Sequence, residues 1–132
     1  MRLSTKARYA TRALIELAGY YGDKPVPLKE IARSQDISVK YLEQILFPLN
    51  LMGIVGTRKG IGGGHYLKKP PEEVNIKMIV QAVEGSLAPV DCVEDPSSCS
   101  RVSYCEAYQA WKRLGRVIEE ELEAIHLKDF VQ

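Results

Sequence analysis

The feature that most constrains the fold of this chain is a pair of short segments with helical periodicity, separated by a tight connection. They read VPLKEIARSQ at residues 26–35 and VKYLEQILFPLN at residues 39–50. Apolar residues recur every three or four positions in both, which predicts two helices. Ser38 is expected to cap the second one by accepting hydrogen bonds from its free backbone N–H groups. Two short helices joined so tightly predict a helix-turn-helix motif.

The second of these helices is expected to bury one face and to expose the other. Its inward face is predicted to consist of Val39, Leu42, Ile45, Leu46 and Leu49. Its outward face is predicted to carry Lys40, Glu43, Gln44 and Phe47. Pro48 is expected in the last turn or at a kink, because it cannot donate a backbone hydrogen bond. The outer face is therefore polar.

A glycine-rich hairpin is predicted to follow the helix pair. The segments IVGT (residues 54–57) and HYLK (residues 65–68) flank RKGIGGG and are expected to form two strands with a mobile tip. The tip is not a convincing phosphate loop, because no Lys-Ser or Lys-Thr pair follows it and no helix opens behind it. The hairpin is instead predicted to be the wing of a winged helix.

Further helices are predicted on either side of this unit. The first covers residues 5–21 and is expected to end at Gly22 and Pro25. Asn75 is expected to cap another helix at residues 76–85. A long helix is predicted for about residues 104–125, and the last segment, LKDFV, is expected to fold back. The predicted fold class is therefore mainly α with a small β wing, a winged helix-turn-helix plus a long C-terminal helix.

The long helix carries apolar residues in alternating steps of three and four. They are Trp111, Leu114, Ile118, Leu122 and Ile125. So narrow a stripe is close to a heptad seam and suits a partner helix, which predicts a homodimer. Packing of the same stripe onto its own chain explains the aromatic and aliphatic residues equally well.

The charge of the chain is divided between two halves. Residues 1–70 carry twelve Lys and Arg against five Asp and Glu, a net +7, whereas residues 71–132 carry six against twelve, a net −6. A basic half beside an acidic half is expected of a module that binds a polyanion and is joined to a sensing or assembly module. We therefore predict a DNA-binding region at residues 1–70 and a helical sensing and dimerisation region at residues 71–132.

The basic half offers candidate DNA contacts on the second helix, the wing and the first helix. In a helix-turn-helix the second helix enters the major groove, where Glu43 can accept from a cytosine amine and Gln44 can bond adenine or a phosphate. Lys40 suits a phosphate, and Arg58 and Lys59 on the wing suit the minor groove or the flanking backbone. Arg2, Lys6, Arg8 and Arg12 add positive charge along the first helix. A winged helix that serves only as a protein-binding scaffold is the alternative.

All three cysteines lie in one acidic loop, DCVEDPSSCSRVSYC, at residues 91–105. The chain shows neither an export signal nor an apolar run long enough for a membrane span, so a cytosolic location is expected, in which thiols stay reduced. Thiolates are the usual ligands of iron-sulfur clusters, and spacings of six and five are looser than the CxxC pairs of structural zinc sites. The loop predicts an iron-sulfur site; thiol redox sensing without metal, zinc and no function remain alternatives. An enzyme with a nucleophilic cysteine is disfavoured, because the sequence shows no pocket signature and the only histidines, His65 on the wing and His126 at the end of the long helix, are expected to lie far from the loop in the fold.

Six segments together resemble the IscR, NsrR and CymR type of bacterial regulators, the Rrf-two family. They are MRLSTKARYATRALIELA, ISVKYLEQIL, GTRKGIGGGHYL, IVQAVEG, the cysteine loop and AYQAW. The resemblance implies a dimeric winged-helix transcription factor that pairs through the long helix and places the third helix and the wing on DNA. It thereby adds Tyr41 to the residues named above as DNA contacts.

The resemblance also implies that Cys92, Cys99 and Cys105 hold a 2Fe-2S or 4Fe-4S cluster, as in the cluster-binding members. In IscR a histidine three residues after the last cysteine completes the site, where this chain has Tyr108. In NsrR an aspartate near the N-terminus does so, where this chain has Arg8. The fourth ligand is therefore unassigned. Asp91, Glu94, Asp95 and Glu106 are the nearest carboxylate candidates, and an open or exogenous ligand is the other option. CymR-like members regulate without a cluster.

Overall fold

Helix α1 (Thr5–Ala18) is the helix around which the other elements pack in this structure, a computed structural model that describes residues 2–131. It begins at Ser4, whose side chain accepts a hydrogen bond from the backbone N–H of Ala7. It ends three residues before the predicted end, at the C-cap Gly19, and Tyr20 and Tyr21 after it are exposed.

The predicted helix-turn-helix is present as α2 (Leu28–Gln35) and α3 (Val39–Leu51). Asp36 turns the chain between them in the left-handed conformation, with φ of 57°. The Ser38 hydroxyl accepts from the N–H of Tyr41 at 3.1 Å, as expected of an N-cap. One expectation for α3 is wrong: Val39 is 38% exposed, because it is the first helical residue and lies ahead of the part of α3 that reaches the core.

The wing consists of two antiparallel strands, β1 (Val55–Arg58) and β2 (Gly64–Leu67). Each is shifted by one residue from its predicted position. The base of the wing is joined to the segment before α2, because the backbones of Val26 and His65 exchange two hydrogen bonds of 2.8 Å. This bridge sets the position of the wing relative to the helix pair.

The remaining chain adds three helices, α4 (Ile76–Glu84), α5 (Asp91–Glu94) and α6 (Glu106–Ala124). Short 3₁₀ turns lie at Pro71–Glu73, Pro96–Ser98 and Leu127–Phe130. Asn75 caps α4, since its side chain accepts from the N–H of Met78 at 2.9 Å. The last segment folds back as predicted: the N–H of Leu127 bonds to the carbonyl of Val74 at 2.9 Å, and the Leu127 side chain is fully buried.

One hydrophobic core runs through the basic and the acidic half of the chain. It contains buried residues of α1, α2, α3 and the wing, together with Val74, Ile79 and Val80 around α4 and Leu127 near the C-terminus. The two halves that differ in charge are therefore packed against each other. Within residues 2–131, no helix has both the length and the apolar composition that crossing a bilayer requires.

Candidate nucleic-acid interface and cysteine loop

A groove of about 750 Å³ lies between the outer face of α3 and the wing. Its side chains include Glu43, Phe47, Asn50, Thr57, Lys59, His65, Tyr66 and Lys68. Lys40, Gln44 and Arg58 are also exposed on α3 and the wing. The structure thus brings the α3 and wing candidates to one surface, in which helix and hairpin present charged and polar groups together.

A chain of hydrogen bonds crosses the floor of this groove. Asn50 Nδ2 donates to Thr57 Oγ1 at 3.2 Å, and Thr57 Oγ1 lies 3.3 Å from His65 Nδ1. A neutral imidazole can accept at Nδ1 from the Thr57 hydroxyl, whereas an imidazolium donates to the same oxygen, which can accept from Asn50 and His65 together. Burial lowers the pKa of His65, and the nearby charge of Glu43 opposes that shift. The neutral form of His65 therefore joins α3 to both strands of the wing.

Two glycines of the wing are required by close packing. Gly56 lies under the ring of Tyr66, and a Cβ at position 56 would collide with the far end of that ring. Gly64 has φ of +154°, and a Cβ there would collide with the backbone of Val26 and Pro27. The Gly64 contact is the less forgiving of the two, because backbone atoms cannot rotate away as a side chain does. Gly64 is what allows the wing to approach α2.

The start of α3 is held in place from α1. The half-buried ring of Tyr41 contacts Tyr9 edge to face, with centroids 6.0 Å apart and an interplanar angle of 83°. Arg12 lies 4.9 Å above the Tyr9 ring and donates to Gln35 at Oε1 (2.9 Å) and at the backbone carbonyl (3.1 Å). Sequence reasoning counted Arg12 only as charge along the first helix, whereas the structure uses it to connect α1 with the end of α2.

Two of the predicted DNA contacts lie away from the groove. Arg2 and Lys6 are exposed near the start of α1. Arg2 lines a depression together with Glu84, Pro89, Ile118 and Leu122, on the side of the molecule that carries α6. The structure therefore places Arg2 next to α6 and the end of α4, and not beside the wing.

The cysteine loop, residues 91–105, lies on the surface. Cys92, Cys99 and Cys105 are half-buried free thiols, and every other residue of the loop is exposed or half-buried. Within residues 2–131, no three His, Cys, Asp or Glu side chains lie close enough together to hold one metal ion. The three thiols are thus accessible but not gathered at one point.

The donor set of the loop matches an iron-sulfur cluster in its chemistry. Three soft thiolates on 15 consecutive residues are suitable ligands, and the only regular structure within the loop is α5 and one 3₁₀ turn. Among the carboxylates of the loop, Asp95 accepts hydrogen bonds at Oδ1 from Ser97 Oγ (2.6 Å) and Ser97 N (3.1 Å). These two bonds lower the pKa of Asp95. Tyr108 is buried in α6, and His65 and His126 lie elsewhere, in the wing and before the last 3₁₀ turn.

The loop contacts α6 through a glycine. A Cβ on Gly115 would lie 3.1 Å from Pro89 Cδ and 3.4 Å from Val93 Cγ1. A glycine inside a helix costs about 1 kcal/mol relative to alanine, so its presence in the middle of α6 calls for a packing reason. The close approach of the segment that carries Cys92 supplies that reason.

The apolar seam of α6 divides into two parts. Trp111 and Leu114 are 43% and 39% exposed, whereas Leu122 and Ile125 pack against the core of their own chain. Ile118 between them is half-buried. The expectation of packing onto its own chain therefore holds for the C-terminal end of the seam, whereas the N-terminal end is exposed in the single chain.

Helix α6 is also joined to α4 by charge. Lys77 Nζ lies 3.8 Å from Glu119 Oε2 and 3.5 Å from Glu123 Oε2. Helix α4 in turn packs against α1 and α3. A continuous set of contacts therefore leads from the cysteine loop through α6 and α4 to the helix that lines the groove.

Three residues of the site were given no role there by the sequence. His65, Phe47 and Gly115 lie at the wing base, in the groove and under the loop. A glycine in the middle of an otherwise regular amphipathic helix was the one available signal, at position 115. The roles of the other two depend on contacts between distant segments.

The chain matches a protein-family model. The model is Rrf2, described as an iron-dependent transcriptional regulator, and it matches residues 3–132. The transcriptional regulator CymR of Bacillus subtilis is 34% identical over 129 residues, covering 98% of this chain and 88% of CymR. IscR of Pectobacterium atrosepticum is 35% identical over 131 residues, covering 99% of this chain and 79% of IscR.

Solved structures of the same group superpose closely. CymR of B. subtilis, described as its global cysteine regulator, gives a TM-score of 0.81 at 32% identity, covering 98% of this chain and 95% of that one. IscR of T. potens gives a TM-score of 0.79 at 32% identity, covering 98% of this chain and 85% of the IscR chain. The oxidized form of Staphylococcus aureus CymR gives a TM-score of 0.76 at 31% identity, covering 97% of this chain and 94% of the CymR chain.

Proposed function

Because the chain belongs to the Rrf2 family of transcriptional regulators, we propose that it binds double-stranded DNA as a homodimer and that its cysteine loop controls this binding. The observation that carries the proposal is the groove between α3 and the wing, which presents acidic, basic and polar side chains on one exposed surface. The enzymatic alternative falls away, since the relatives are transcriptional regulators.

On DNA, α3 lies in the major groove with its outer face toward the base edges. Glu43 accepts from a cytosine amine, Gln44 bonds adenine or a phosphate, and Lys40 with Tyr41 at the start of α3 contacts the backbone. Arg58 and Lys59 extend from the wing to the flanking backbone or the minor groove. Arg2 and Lys6 provide further positive charge at the start of α1.

Two copies place two such surfaces on one operator. The exposed part of the α6 seam, Trp111 and Leu114, supports pairing of α6 with its counterpart, and the half-buried Ile118 extends the same stripe together with Leu122 and Ile125. A two-fold dimer that binds a palindrome needs its reading helices about 34 Å apart, one turn of DNA. A small rotation of α6 therefore disturbs binding at both half-sites.

The loop is proposed to hold an iron-sulfur cluster on Cys92, Cys99 and Cys105. Such a cluster, when bound, supplies a group that responds to oxidants and to iron supply. The loop residues have to converge to hold it, and Val93 and Pro89 then change their contact with Gly115 on α6. The shift reaches α3 through Lys77 and α4.

A second mode of sensing uses the same cysteines without a cluster. Three free, half-buried thiols are accessible to oxidants, and the oxidized CymR structure belongs to a relative. In this case two of the cysteines form a disulfide, and an oxidant such as a peroxide takes up the two electrons and two protons that the thiols lose. Formation of the disulfide moves the loop. Anaerobic purification separates the two modes.

Protein purified without oxygen is expected to be coloured, with visible charge-transfer absorption and bound iron and sulfide. The triple variant Cys92→Ala, Cys99→Ala, Cys105→Ala is expected to be colourless. Colourless, iron-free parent protein under these conditions would defeat the cluster and favour the thiol mode.

DNA binding is tested by the dependence of affinity on salt. The logarithm of the binding constant for a duplex selected from a random pool is expected to fall linearly with the logarithm of salt concentration, because phosphate contacts release counterions. Lys59→Ala is expected to reduce that slope by about 1, whereas the control Lys128→Ala in the acidic half leaves it unchanged. Absence of any selected duplex, or a flat salt response, would favour the protein-binding scaffold.

A further inference from the structure

One large apolar side chain stands among the polar residues of α3 that face the groove. Phe47 follows Glu43 by four positions and Gln44 by three, so the three side chains share one face of the helix. The ring of Phe47 is 64% exposed. A well-exposed phenylalanine in a charged groove adds nothing to the core, since the inward face of α3 is supplied by Leu42, Ile45, Leu46 and Leu49.

The surroundings of Phe47 favour an anionic partner with an apolar spot. Lys59 and Lys68 line the same groove as the ring, so two positive charges outweigh the one negative charge of Glu43 there. The major groove of DNA offers one apolar group among its hydrogen-bonding atoms, the C5-methyl of thymine, and phenylalanine is one of the side chains that contacts it.

We propose that Phe47 is a specificity-determining residue that packs against a thymine methyl, an inference that rests on the DNA-binding function proposed above. Four residues of helix span about 6 Å, and successive base pairs lie about 3.4 Å apart. The thymine therefore lies about two base pairs from the position read by Glu43.

The proposal is tested by removing the methyl from the DNA. Each thymine of a duplex selected from a random pool is replaced in turn by deoxyuridine, which lacks only that methyl. At one position per half-site, the parent protein is expected to bind the thymine duplex about fourfold more tightly, the value of one buried methyl-sized group. For Phe47→Ala the ratio at that position is expected to fall to about one.

Leu51→Ala is the matched control. Leu51 is 70% exposed one turn beyond Phe47, on the same side of α3, but it does not line the groove. This variant is expected to keep the parent's preference for thymine. Thermal unfolding of both variants is expected to match the parent, because neither side chain is buried.

The outcomes separate this inference from the function on which it rests. Equal binding of thymine and deoxyuridine at every position by the parent, or an unchanged preference in Phe47→Ala, overturns the role of Phe47 while DNA binding stands. Loss of the preference in Leu51→Ala as well would show a general effect of the α3 surface and also overturn it. If the parent selects no duplex at all, the proposed function and this inference fail together.

Discussion

At the scale of single residues, His65 shows how one residue connects three segments through its backbone and its ring. Its backbone pairs with Val26, its ring is bonded to Thr57, and through Thr57 it reaches Asn50 on α3. Two consequences follow for the groove: the wing cannot move away from α3 without breaking this chain, and the direction of the hydrogen bond between Thr57 and His65 depends on the protonation state of the ring.

The stability of the protein is therefore expected to depend on pH through His65. Burial lowers its pKa in the folded state, so the unfolded chain binds more protons as the pH falls. The stabilisation is fully present above the ordinary histidine pKa of about 6.5 and decreases as the pH falls through that value. In denaturant titrations, the free energy of unfolding should drop between about pH 7.5 and about pH 5.5.

His65→Asn is expected to show a smaller drop, because its amide oxygen accepts from Thr57 but does not titrate in this range. His126→Asn is the matched control, since His126 contacts Ala124 near the C-terminus and leaves the groove unchanged. Identical pH profiles for the parent and His65→Asn would contradict the assignment.

At the scale of elements, the wing is positioned by its base and not by its tip. The backbone of Gly64 lies so close to Val26 and Pro27 that no side chain fits. Gly62 at the tip also has a positive φ, of 78°, but a Cβ there meets nothing within 4 Å. Substitutions at the two glycines therefore separate the cost of backbone strain, expected at both positions, from the cost of a steric collision, expected only at Gly64.

We expect Gly64→Ala to destabilise the protein by more than about 2 kcal/mol, because it adds a collision with backbone to the cost of an unfavourable conformation. Gly62→Ala should cost only about 1 kcal/mol, the strain of its conformation alone. The measurement is the free energy of unfolding, with DNA affinity as a second readout. Equal losses in the two variants would show that the Val26–His65 bridge does not position the wing.

At the scale of the whole molecule, helix α6 carries the exposed end of the seam and also takes part in the contacts that lead from the cysteine loop to the groove. The two-fold reading of DNA proposed above needs a partner subunit, and Trp111 and Leu114 are apolar side chains that the single chain leaves exposed on α6. The opposite side of α6 carries exposed charges, such as the pair of Arg116 with Glu120 at 3.9 Å.

Sedimentation as a function of concentration is expected to show a dimer for the parent protein. The double variant Trp111→Ser, Leu114→Ser should dissociate at concentrations at least about 30-fold higher than the parent, since buried anchor residues of an interface contribute about 2 kcal/mol or more. Its helical content should be retained, because neither side chain belongs to the core. Arg116→Ser, on the opposite side of α6, should leave the dimer unchanged, as exposed ion pairs contribute little. A parent protein that stays monomeric would remove the proposed two-fold reading of DNA.

The sequence by itself determined the parts of this protein that depend on neighbouring residues. Ser38 and Asn75 cap their helices, the spacing of apolar residues in α3 selects its buried face, and the glycines of residues 60–64 make the hairpin. Periodicity and caps act within a few residues, so they are visible in the sequence. The same holds for the choice of side chains on the outer face of α3.

Only the tertiary structure decided what distant segments do to each other. Arg12, expected only to add charge along α1, forms a hydrogen bond with Gln35 at the end of α2, and Arg2 lies beside α6. The α6 seam is divided into a part that packs on its own core and an exposed part. The tertiary structure also left the three thiols apart, although they are close in sequence. These outcomes depend on how whole helices pack in three dimensions, and contacts between residues far apart in the chain leave no periodic pattern in the sequence.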